Sequence, residues 1–142
     1  MHISPNIGLD TIRFGMKRDD VQAILGPPEE RTAYKLDDYS TEAWYYWSQG
    51  ISLNFDEELD WRLTTIEVDS PDAELIGHRP IGMNRQALRT LLEGLTVEWT
   101  DDEMEPIRVA EWEMDIYFED GVLGQVQWSV PLDADDSEVW PD

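Results

Sequence analysis

The sequence predicts an α+β fold of two tandem repeats, each a helix followed by an antiparallel meander, with the helices packed on one face of the sheet. Three observations point there. Two segments share the order apolar residue, Gly-Met, short helical pattern, Gly: IRFGMKRDDVQAILGPP at 12–28 and PIGMNRQALRTLLEG at 80–94. After each come runs alternating apolar and polar residues, the period of a half-buried strand. Short turn-forming clusters separate those runs, which favours hairpins.

In the first helix Val21, Ile24 and Leu25 lie at helical spacing, and Asp19 and Asp20 occupy the first turn, where the helix dipole favours acids. Gly26 suits a cap, and Pro27-Pro28 forbids continuation. A strand is expected at 30–36. Next comes EAWYYWSQGISLNFD at 42–56, with four consecutive aromatics. In a strand, two of these enter the core and two face away. The turn at 48–50 sets the register. Tyr45 and Trp47 are the preferred outward pair, with Trp44 and Tyr46 inward, and the reverse register is the alternative. Strands 51–56 and 62–68 flank a turn at 57–60, and 69–80, with Pro71, Gly77 and Pro80, reads as a join.

In the second unit Asn84 is the expected N-cap, Leu88, Leu91 and Leu92 form the apolar face, and Gly94 stops the helix. A further strand is expected at 95–100. Residues 109–118 read as one long strand, the favoured reading, or as a hairpin turning near Glu113. Asp120-Gly121 is a hairpin signal between 114–118 and 122–130. The repeats are thus 1–70 and 71–132 of one compact unit, and 133–142 reads as a mobile acidic tail.

A helix laid on a sheet covers one face and leaves the other open. The covered set is expected to be Ile51, Leu53, Phe55, Ile66 and Val68, then Trp112, Met114, Ile116, Phe118, Val122, Val126, Trp128 and Val130. The open face then carries Tyr45, Trp47, Asn54 and Glu67 in the first unit. In the second it carries Glu111, Glu113, Asp115, Tyr117, Glu119, Gln125 and Gln127. Rings supply anchors at protein interfaces, and carboxylates steer a basic partner.

Gly15-Met16, Val21, Leu25-Gly26, Pro28, Trp44-Tyr45 and LNFD at 53–56 resemble the repeat of the SmpA/OmlA family, which includes a small lipoprotein of outer-membrane β-barrel assembly. The second copy, with Gly82-Met83, Gly94 and FEDG at 118–121, makes the chain similar to the two-repeat β-lactamase inhibitory proteins. The likeness spans 12–130 and implies a module that binds proteins through a sheet face and has no catalytic site. In general character the chain also resembles bacterial immunity proteins.

Charge narrows the partners. Thirty-two acids against ten bases give a net charge of −22, which disfavours nucleic acid and anionic membranes and suits a basic protein. The acids are uneven, fourteen against six bases in 1–71 and eighteen against four in 72–142. There is no cysteine, which removes disulfides and thiolate chemistry and fits a reducing compartment. The first residues lack a signal-peptide pattern and no run reaches membrane-spanning length, so a cytoplasmic protein, monomeric or weakly dimeric, is expected.

Catalytic signals are thin. His2 and His78 are the two histidines, and neither a Gly-x-Ser-x-Gly elbow nor a phosphate loop occurs. DDEME at 101–105 lacks the ligand spacing and glycine of a calcium loop. No metal, cofactor or enzymatic activity is expected. The leading expectation is an inhibitor or immunity protein that covers a basic toxin or enzyme. A scaffold module and a carboxylate-dependent hydrolase are the alternatives.

Overall fold

Alternation sends Ile51, Leu53 and Phe55 to one side of a strand and Ser52, Asn54 and Asp56 to the other. In the computed structural model, which describes residues 1–102 and 104–141, this strand lies within a seven-stranded antiparallel sheet. The chain runs β1 (His2–Ser4), β2 (Gly8–Leu9), β3 (Ile12–Arg13), α1 (Arg18–Leu25), β4 (Glu30–Leu36), β5 (Tyr39–Tyr46), β6 (Ile51–Asp56) and β7 (Arg62–Val68). It continues through β8 (Glu74–Leu75), α2 (Arg85–Glu93), β9 (Ile107–Val109), β10 (Met114–Glu119) and β11 (Val122–Ser129). The large sheet has the order β4-β5-β6-β7-β11-β10-β9, and a small one has the order β3-β2-β1-β8.

The expected α+β class is therefore corrected. The protein is mostly β, 43% strand and 19% helix, with two helices and sheets of four and seven strands. Helix length explains why helices do not cover the face. Eight and nine residues make rods about 12–14 Å long, whereas seven strands span about 29 Å. α1 buries Val21 but leaves Ile24 46% exposed, and α2 buries Leu88 and Leu92. The small sheet supplies Ile3, Leu9, Ile12 and Leu75 to the same core as Trp44, Leu53, Phe55, Ile66, Met114, Ile116 and Trp128.

The helix ends follow their local chemistry. The Lys17 backbone N–H donates to the Asp20 carboxylate at 3.1 Å, and the Asn84 side chain accepts from the Ala87 N–H at 2.8 Å. The halves also share a backbone device. Gly15 N–H donates to Leu63 O and Leu63 N–H to Met16 O; Gly82 N–H likewise donates to Leu123 O and Leu123 N–H to Met83 O. Both leucines follow a register shift, one at Asn54/Phe55 and one at Tyr117/Phe118. Each shift accommodates an extra residue, Thr64 or Gly124, so the leucine side chain turns into the core opposite a phenylalanine.

That second bulge corrects the covered set. Leu123 is buried and Val122 is 45% exposed, because the extra residue inverts the alternation read back from Val126. The favoured long strand at 109–118 is also corrected. Ala110–Trp112 is a 3-10 turn closed by Glu113 at φ 47°, a left-handed conformation, so β9 and β10 form a hairpin. Residues 95–99 form no strand, and Thr100 makes a lone bridge to Arg108. Within 69–80, β8 pairs in parallel with β1. In the C-terminal segment residues 133–137 are exposed, while the Trp140 ring lies over Gly15 and beneath the Arg62 guanidinium.

Candidate protein-binding face

β5 fixes the register of the four aromatics. Trp44 pairs with Leu53 and Tyr46 with Ile51, and both rings are 2% exposed. Trp44 tilts against Phe55 at 4.9 Å between centroids and donates its indole N–H to Glu42 at 2.6 Å. Tyr45 and Trp47 fall on the other face. They stack on each other, 4.5 Å between centroids and 8° between planes, and Trp47 is 56% exposed. Trp47 lies in a 3-10 turn that ends at Gly50, φ 69°. A Cβ there would stand 2.5 Å from the Asp69 carboxylate, so this turn needs glycine for both its backbone and its space.

Cross-strand pairing extends the open face as rows. One row runs Tyr45, Ser52, Glu67, Gln127, Asp115, Arg108, and a second runs Ala43, Asn54, Thr65, Ser129. Tyr117 stands opposite Gln125 in the same sense. The face therefore brings together Tyr45, Trp47, Asn54, Glu67, Asp115, Tyr117, Gln125 and Gln127. Two of the sequence-predicted residues depart from it. Glu111 lies exposed in the 3-10 turn and leaves the face. Glu113 closes that turn, and its carboxylate folds onto Arg108 at 2.8 Å. Glu119 stays at the end of β10, opposite the exposed Val122.

The pattern reading missed three residues here. Tyr34 on β4 is 51% exposed, and the alternation of Thr32 and Tyr34 against Thr41 and Ala43 was the available signal. Arg108 bonds Asp115 at 3.1 Å as well as Glu113, and was signalled by its place between Ile107 and Val109. Asp69, just past β7, falls in the 69–80 segment that the sequence presents as a join.

Electrostatics single out Glu67. Burial pushes its carboxyl above the ordinary range, Asp69 pushes it further, and the Gln125 amide opposes the shift. Tyr34 and Tyr117 are raised as well, first by burial and then by neighbouring carboxylates, Asp56 and Asp115 respectively. Among the described residues, no lysine or arginine lies within ion-pair distance of Glu67 or Asp69. The bases that are paired go to Glu42, Asp60, Glu74, Asp101, Glu113 and Asp115.

Among the described residues no group of three or more His, Asp or Glu is placed to hold a metal ion. Asp101 from the 101–105 stretch is taken up by Arg85 and Arg89, and Glu103 lies outside the described residues. His2 is within 3.4 Å of Glu74, and His78 bridges to Leu75, so both belong to the small sheet and its margin. No helix among the described residues is long and apolar enough to cross a membrane. Compared with protein-family models, curated proteins and solved structures, the chain matches none.

Proposed function

We propose that the protein is an acidic binding module, an inhibitor or immunity protein that covers a basic toxin or enzyme with the open face of its large sheet. The observation that carries this reading is the pairing of exposed rings with uncompensated carboxylates. Trp47, Tyr34 and Tyr117 are 56%, 51% and 37% exposed, and Glu67 and Asp69 lie between them without a cation. Trp and Tyr are the side chains that most often anchor interfaces, and unpaired acids on a chain of charge −22 raise the encounter rate with a basic partner. Inhibition then needs no catalysis, only burial of about 800 Å² on each partner.

The test is affinity capture at low salt with elution at high salt, repeated with Trp47→Ala and Tyr117→Ala, followed by assay of the captured protein. The expected result is one basic enzyme or toxin domain, bound one-to-one, suppressed by the wild type and released by the variants. A captured assembly component with no activity to suppress replaces the inhibitor reading with a scaffold one. Retention by both variants moves the interface off this face.

A further inference from the structure

The stacked pair Tyr45 and Trp47 walls one side of a depression of about 150 Å³, completed by Ser52, Glu67, Asp69 and Gln125. A second depression adjoins it through Asp69 and Gln125 and ends at Tyr117 and Glu119. We propose that the first depression is a receptor for a single arginine side chain of the partner, its guanidinium lying against the Trp47–Tyr45 rings and bonded to Glu67 and Asp69. This rests on the reading of the open face as a protein-binding surface and names the group recognised there.

Three features select that occupant. The rings offer a flat π surface beside two carboxylates, the combination that holds a planar cation by stacking and by forked hydrogen bonds. The protein already uses this chemistry internally: Arg18 lies over Trp61, Arg31 over Trp44, Arg62 over Trp140 and Arg85 over Phe118, at 4.4–5.4 Å. Among the described residues the Tyr45–Trp47 pair has no such partner. The cost of keeping Glu67 ionised in a half-buried place beside Asp69 is offset once a cation enters. A second copy of the chain is disfavoured as the donor, because it brings another 22 net negative charges to an acidic face.

The test uses three capped heptapeptides of glycine with a central arginine, lysine or citrulline, titrated into the full chain and followed by NMR at the Trp47 indole N–H and at the Gln125 amide, the latter alone for the variant at 47. The arginine peptide should shift Trp47 and Gln125 saturably with a Kd of about 1–10 mM. Citrulline, of the same shape without charge, should not. Glu67→Gln and Trp47→Ala should each weaken the arginine titration at least about tenfold. Equal response to lysine, response to citrulline, or no saturation by about 50 mM overturns the proposal. So does a shift spread over the whole acidic surface. The outcomes separate from those of the wider reading. A basic partner still captured by Glu67→Gln leaves the face intact and removes the arginine receptor. Arginine binding without any captured partner does the reverse.

Discussion

At the residue scale, neighbouring aromatics of one strand divide into structure and surface. Trp44 is enclosed against Phe55, so Trp44→Ala leaves a cavity and should cost about 3–5 kcal/mol in urea unfolding. Trp47→Ala removes a half-exposed ring and should cost less than about 1 kcal/mol of stability, while weakening partner binding by about 2 kcal/mol or more. Equal unfolding costs would show that Trp47 is a core residue. Glu67 makes the opposite trade. Its folded-state pKa lies above the unfolded value of 4.5, so in that window the native state holds more protons, and stability falls as pH rises through it. Glu67→Gln should therefore be more stable than the wild type at neutral pH, with the difference closing as pH falls to 4.5. An acid whose removal stabilises the fold while weakening binding is a residue held for function. A Glu67→Gln variant less stable at neutral pH would contradict the desolvation that motivates it.

At the element scale, the two halves solve the same problem with different residues. Trp47–Gln49 ends at Gly50, and Ala110–Trp112 ends at Glu113, both left-handed. A glycine at 50 advertised its turn, whereas a glutamate at 113 did not. For that reason the pattern favours one continuous strand over 109–118, with Glu111 on the sheet, and offers only as the alternative the hairpin near Glu113 that the structure adopts. The same contrast recurs at the next hairpins, where Asp60-Trp61 and Asp120-Gly121 all have positive φ and only the second pair is a recognised turn signal. Gly50→Ala should destabilise by about 1–2 kcal/mol, because it adds left-handed strain and meets Asp69. A variant that loses no stability in thermal melts would mean that the turn relaxes to another conformation. Trp140 is the second check at this scale. If the C-terminal segment holds the first half through Gly15 and Arg62, Trp140→Ala should lower the melting temperature although it removes no strand.

At the scale of the whole molecule, charge sets the terms. A net −22 on 142 residues repels itself in the folded state, so raising salt from about 10 mM to about 0.5 M should raise the melting temperature. Over the same range, association with a basic partner should slow. A melting temperature that falls with salt would mean that the internal ion pairs, such as Arg85 and Arg89 on Asp101, outweigh the repulsion. The chain answers part of its own repulsion by committing arginines to rings and carboxylates near α1, α2 and β9, and it leaves the Glu67–Asp69 region uncompensated.

Much of this was legible in local pattern. The strands at 51–56 and 62–68, the Asn84 cap, the Asp120-Gly121 hairpin and the outward setting of Tyr45 and Trp47 follow from period, capping chemistry and parity, which act over a few residues. The mostly-β class was not legible. Strands of two and three residues, such as β1, β2, β3 and β8, are too short to carry a period; the first three pair among themselves within residues 2–13, and β8 joins them where the chain brings residues 74–75 beside 2–3. Nor was the position of Leu123, since a bulge changes parity without changing composition. The depression beside Trp47 belongs to the same class of fact. Its walls come from 45–52, 67–69 and 125, and pairing of distant strands, rather than any spacing along the chain, sets two carboxylates against two stacked rings.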